Sequence, residues 1–136
     1  MVVKRLNAET ARLDEVLEFI DEQLEQADCP LKTQMQIDVA VEEVFVNVAH
    51  YAYHPEIGAV EIRVEITDNP KTAVITFSDS GRPFNPLDKP DPDITLSAEE
   101  RGIGGLGIFM VKNTMDDVRY EFVDGHNCLT ITKYFE

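Results

Sequence analysis

Basic residues are scarce in this chain: 12 Lys and Arg stand against 26 Asp and Glu, a formal net charge of −14. A general binder of phosphate backbones needs a basic face, so the balance argues against nucleic acid as a partner, and equally against an anionic membrane surface. Long apolar runs are missing too, and nothing approaches the roughly 20 residues that a bilayer span needs. The opening Met1-Val2-Val3-Lys4-Arg5-Leu6-Asn7 lacks the apolar stretch of a signal peptide. Only two cysteines occur, Cys29 and Cys128. Neither belongs to a CxxC or Cys/His cluster, which argues against a zinc or redox site. Two buried thiols in a reducing cytoplasm are the expectation. Seven Gly and seven Pro are too few for a disordered or fibrous chain. There is no internal repeat and no low-complexity tract. The 136 residues are therefore read as one domain, 1–136, around one core.

Periodicity supplies the elements. Val2 to Leu6 reads as a short first strand, with Asn7 as the cap of a following helix. In that helix Leu13, Val16, Leu17, Ile20 and Leu24 share one face, and Asp14, Glu15, Glu18, Asp21, Glu22 and Glu25 make a solvated one. Ala27-Asp28-Cys29-Pro30 breaks the chain. A second helix is expected from about Lys32 to Tyr53. Its second half is apolar nearly all round (Val39, Ala40, Val41, Val44, Phe45, Val46, Val48, Ala49), so it should be buried. The period then switches to two. Val60, Ile62, Val64 and Ile66 alternate with Glu61, Arg63, Glu65 and Thr67, and a turn at 68–71 leads to a strand from Thr72 to Ser78. Residues 80–103 form one long irregular stretch with four prolines, of the kind that is usually functional or disordered. A third helix is expected from Leu106 to Met115. A last hairpin follows, with Val118–Val123, a turn at Asp124-Gly125, and Cys128–Phe135. The order β-α-α-β-β-α-β-β gives an α+β fold, with helices layered on a mixed, mainly antiparallel sheet.

Three stretches carry chemistry. Glu43 and Asn47 lie four apart on an otherwise apolar helix, and His50 extends the stripe. Buried polar groups need partners. Asn47 offers a hard oxygen to Mg²⁺, and Glu43 can accept a proton from a nucleophile. The same spacing also fits a surface stripe with Asn47 bonded inside its own helix, and a lone His50 fits a structural role. Asp79-Ser80-Gly81-Arg82-Pro83-Phe84 sits at a strand end, where an acid followed by Gly can present a carboxylate to a ligand; it is equally good turn chemistry. Gly102-Ile103-Gly104-Gly105-Leu106-Gly107 precedes a helix, and its free N–H groups suit an anion, although a flexible hinge would use the same residues. It is neither a Walker A loop nor a dinucleotide fingerprint.

Together these elements resemble a known family. Glu43-x-x-x-Asn47-x-x-x-Tyr51-Ala52-Tyr53 is similar to the N box of the GHKL ATPases, the superfamily of gyrase, the histidine kinases and the heat-shock chaperones. Asp79-Ser80-Gly81 resembles the first glycine box, and Gly104-Gly105-Leu106-Gly107-Ile108 the second. The bacterial anti-sigma-factor serine/threonine kinases are the nearest likeness, with a single-domain length, two opening helices and a Met115-Asp116 after the glycine helix. The resemblance covers nearly the whole chain. It implies a two-layer α/β sandwich of the Bergerat type that binds ATP and Mg²⁺. It implies Glu43 as general base and Asn47 as the Mg²⁺ ligand. Asp79 would accept from the adenine amino group with Gly81 beside the base, and Gly104, Gly105, Leu106 and Gly107 would cradle phosphate. Arg101 would be a charge partner for phosphate or for a bound protein. The first box has Pro83 in place of its second glycine, which stiffens that entrance. The last hairpin has no Gly-Thr, and Asn127 stands in its place. The implied activity is phosphorylation of an anti-sigma-factor antagonist by a cytoplasmic homodimer that regulates a sigma factor by partner switching. The other reading is a non-catalytic module that binds ATP to order a protein-binding surface.

Overall fold

The computed structural model describes residues 1–53, 56–88 and 105–135. Five strands, β1 (Val2–Asn7), β2 (Ala59–Thr67), β3 (Thr72–Asp79), β4 (Asp117–Val123) and β5 (His126–Tyr134), form one sheet in the order β1-β2-β3-β5-β4. Every neighbouring pair is antiparallel, so the expected mixed character is replaced by a purely antiparallel sheet. Three helices pack with it: α1 (Leu13–Gln26), α2 (Leu31–Tyr51) and α3 (Gly105–Thr114). The architecture is the α+β layering read from the pattern.

The core lies between the helices and one face of the sheet. Val16, Ile20 and Leu24 of α1 meet Ile37, Ala40, Val41, Val44 and Phe45 of α2 over Val60, Ile62, Val64, Ala73, Ile75, Phe77, Leu129 and Ile131. The alternation of β2 and β3 places these apolar groups on one side because successive side chains point to opposite faces. Val111 and Met115 join the core from α3 and its end.

Two expectations need correction. Asn7 caps nothing: it pairs with Ala59 in the β1–β2 ladder, so its backbone belongs to the strand. The chain then passes through a short 3-10 turn, Thr10–Arg12, and α1 starts at Leu13 without a side-chain cap. Nor is α2 buried all round. Val39 is exposed while Ala40, Val41, Val44 and Phe45 are buried, because sheet and α1 cover only one side of the helix.

Turn chemistry explains the joints. Asp28 takes a left-handed φ of 57°, and Cys29 N–H bonds Leu24 O while Asp28 N–H bonds Glu25 O. That is the Schellman closure of α1. Pro30 follows and α2 begins at Leu31. Asp124 and Gly125, at φ 52° and 80°, make the two-residue turn between β4 and β5 that the strands' right-handed twist favours.

Candidate functional site

The register of the sheet builds one half of the site. Asp79, the last residue of β3, pairs directly with Asn127 of β5. Both are buried, Asp79 at 5 % and Asn127 at 6 % exposure. Asn127 Nδ2 donates to Asp79 Oδ1 at 2.9 Å, and the Gly81 N–H donates to the same oxygen at 2.9 Å. These two residues lie in the wall of a cleft whose other walls are apolar side chains of α2, β3 and β5, with Phe84, Pro86, Tyr120 and Asn47. An apolar slot with a few convergent polar groups is the usual form of a small-molecule site.

The loop after β3 is sewn to the end of α2. Arg82 N–H bonds Ala52 O at 3.1 Å, and Arg82 Nε bonds Tyr51 O at 3.1 Å. A cation at a helix C-terminus satisfies carbonyls that would otherwise lack partners. Gly81 is needed here because the Ala52 carbonyl fills the space a Cβ would take. Phe84 stacks on Tyr51, centroids 5.3 Å apart at 24°. The Tyr53 hydroxyl donates to Ala59 O at 2.7 Å and accepts from Ser80 N–H at 2.8 Å, tying the loop to the start of β2. His50 is exposed and touches the Tyr51 ring edge-on.

The other half of the site lies on α2. Asn47 Nδ2 donates to Glu43 O at 2.9 Å, so the helix-internal bond considered from sequence exists. It fixes the amide by its nitrogen, and the Asn47 Oδ1 has no hydrogen-bond partner among the described residues. Glu43 is half-buried, and burial first, then the neighbouring charge of Glu42, pushes its carboxyl above the usual range. Its carboxylate lies against Gly107 in the first turn of α3, in the volume that a Cβ there would need. The two motifs, 64 positions apart, are thus one contact. Gly105 opens the same helix, whose first backbone N–H groups suit an anion. Leu106 follows it there. Arg101 and Gly104 lie outside the described residues, as does the irregular stretch from 89 onward.

Among the described residues no group of three or more His, Cys, Asp or Glu is arranged to hold a metal. Mg²⁺ bound beside phosphates does not require such a group, since this ion keeps several waters and takes one or two protein oxygens. A side-chain carbonyl oxygen such as Asn47 Oδ1 is of the chemical type that such an ion takes.

Tyr120 was not singled out from sequence. Its hydroxyl bonds Asn127 Oδ1. The signal was available in the pattern of β4, since Tyr120 pairs with Leu129, and a long side chain reaches the diagonal neighbour two residues along, here Asn127.

Residues 6–133 match the family described as the histidine kinase-like ATPase domain. The chain belongs to that family. It is 30 % identical over 102 residues to the serine-protein kinase RsbW of Listeria monocytogenes, covering 72 % of this chain and 64 % of that protein. It is 27 % identical over 100 residues to the serine-protein kinase RsbW of Bacillus cereus, covering 72 % and 62 %. The match thus spans less than two thirds of the length of these curated relatives. Among solved structures, the SiaB–SiaC complex of Pseudomonas aeruginosa holds a chain similar over 98 % of this one and 89 % of that one, with a TM-score of 0.64. At 13 % identity that likeness speaks for the fold. No helix among the described residues is long and apolar enough to cross a membrane.

Proposed function

We propose that this chain binds ATP with Mg²⁺ and phosphorylates a serine or threonine on a partner protein. The observation that carries the reading is that Asp79 and Asn47 line one cleft, while Glu43, one turn before Asn47 on α2, lies against Gly107 at the head of α3. Relatives named serine-protein kinase support the direction of the transfer. The partner is taken to be an anti-sigma-factor antagonist, and the consequence to be capture or release of a sigma factor by a cytoplasmic homodimer.

In this reading Asp79 receives the amino group of the adenine, with Gly81 letting the backbone pass close by. The N–H groups at the start of α3, with Gly104, Gly105, Leu106 and Gly107, face the phosphates, and Arg101 pairs with the terminal phosphate or with the bound protein. Asn47 Oδ1 would hold Mg²⁺, which when bound neutralises charge developing on the transferred group. Glu43 takes the proton from the partner's hydroxyl as its oxygen bonds phosphorus and ADP departs. A carboxyl whose pKa is raised, by burial first and then by Glu42, is a stronger base for that task than an exposed one.

The test is to incubate the purified protein with labelled ATP, Mg²⁺ and the antagonist encoded near it. A labelled antagonist is expected. Nucleotide binding with no label on the partner would favour the binding-module reading instead, and no thermal shift with ATP, with or without Mg²⁺, would overturn both.

A further inference from the structure

Every hydrogen-bonding position of Asn127 is taken by protein. Its Oδ1 accepts from Phe84 N–H at 3.1 Å and from the Tyr120 hydroxyl. Its Nδ2 donates to Asp79 Oδ1 and to Arg82 O, both at 2.9 Å, with Gly81 O at 3.5 Å. An amide has two donor and two acceptor positions, so none remains for a ligand. The two donors on Oδ1 also decide which end of the amide faces Asp79. A flipped amide would set oxygen against oxygen at Asp79 and N–H against N–H at Phe84. On the other side, Asp79 Oδ1 is shared by Asn127 and Gly81, while Oδ2 has no hydrogen-bond partner among the described residues.

We infer that Asn127, oriented by Tyr120, is the positioning residue for base selection in the nucleotide site. This deepens the nucleotide-binding reading and rests on it. By occupying Oδ1, the amide leaves Asp79 to meet the ligand through Oδ2 as an acceptor. A base edge with an exocyclic amino group is accepted, and one with a carbonyl in that place is refused. Selectivity thus depends on groups that make no hydrogen bond to the base: the Asn127 amide on β5, the Tyr120 hydroxyl on β4, and the loop main chain at 82 and 84.

ATP and GTP affinities, measured by calorimetry with Mg²⁺ for the parent, Asn127→Asp and Tyr120→Phe, test this. The parent should prefer ATP. Asn127→Asp sets a second carboxyl against Asp79, and two carboxyls so close share a proton. The pair then carries one proton, and with that proton on Asp79 Oδ2 the site donates to a base carbonyl where the parent's Oδ2 only accepts. The ATP-to-GTP preference should therefore fall by about 10- to 100-fold, the worth of a hydrogen bond to a charged group. Tyr120→Phe removes one of the two donors that orient the amide, and should lower the preference by about 3- to 10-fold. A merely structural role would weaken both nucleotides alike and leave the ratio in place. An unchanged ratio in both variants overturns the inference while the nucleotide reading stands, as does a parent that binds ATP and GTP equally. A parent that binds neither overturns both. Should Asn127→Asp not fold, Tyr120→Phe decides alone.

Discussion

Gly107→Ala separates stability from chemistry at the contact between α2 and α3. The new methyl group would occupy the volume now held by the Glu43 carboxylate, with Glu43 Cδ only 2.8 Å from the ideal Cβ position. The three nearest atoms to that Cβ all belong to Glu43, the third being Cγ at 3.5 Å. The obstacle is therefore the far end of a flexible side chain, which can swing aside. Ala is preferred to Gly inside a helix by up to about 1 kcal/mol. Turning Glu43 off its rotamer costs about 0.5–1.5 kcal/mol. The two nearly cancel, so the melting temperature should stay within about 8 °C of the parent's. A general base displaced by about an ångström loses about 10²-fold in rate. The expected result is a folded protein that binds ATP close to the parent's affinity and transfers phosphate about a hundredfold more slowly. Scanning calorimetry, nucleotide calorimetry and a labelled-transfer assay on one preparation read the three quantities. Transfer at the parent's rate would show that the Glu43 position against Gly107 has no part in the chemistry. A melting temperature far below the stated range would show that Glu43 cannot yield.

Glu43→Gln should keep ATP affinity and lose transfer by about 10²–10⁴-fold, the usual worth of a general base, as judged by autoradiography of the partner. Asn47→Ala should remove the Mg²⁺ dependence of ATP binding, seen as equal thermal shifts with and without the metal. Asp38, facing Asp21 and Glu25 of α1, has a carboxyl pushed up to about 8 by burial first, then by the hydrogen bond and charge of Asp21 and the charge of Glu25. It binds its proton more tightly folded than unfolded, so its contribution is full below about pH 4 and is lost as pH rises towards 8. Asp38→Asn needs no proton, and after discounting for a half-exposed group should gain about 1–3 kcal/mol over the parent at pH 8.5 and almost nothing at pH 4, by urea unfolding. Val2 and Val3, exposed on edge strand β1, are expected to lie in a homodimer interface, and light scattering that gives the monomer mass at every concentration would contradict it.

Much of the fold was legible because one face of each element is buried. The apolar positions of α1 and the alternation in β2 and β3 are the direct imprint of that burial, and Asp124-Gly125 declares its turn by backbone chemistry alone. Local signals failed where a distant partner decided. Asn7 is a good cap by type, yet Ala59 claims its backbone. Val39 is apolar by type, yet the sheet covers the opposite side of α2. The candidate site residues were picked out by motifs, but the contacts among them were not. Asp79 meets Asn127 across 48 positions of chain, and only the pairing of β3 with β5 brings them level.

That division has a physical basis in where polar groups can be afforded. Asp79 ends β3, Asn127 lies near the start of β5, Gly81 follows a strand and Gly107 lies in the first turn of α3. At element ends the backbone has unpaired groups, and a polar side chain finds partners there without breaking a ladder. Glu43 and Asn47 are the exception, since they interrupt the middle of a 21-residue helix. Their partners must come from the helix itself or from another element. Asn47 uses the Glu43 carbonyl, and Glu43 lies against a helix head that has no side chain at 107. α2 therefore acts as the platform, held by Val41, Val44 and Phe45 in the core. The sheet end and the head of α3 are brought to it by tertiary packing. A polar pair inside an apolar helix is thus the strongest pointer to the site that the bare sequence holds, because without the distant contacts it would be a cost with no return.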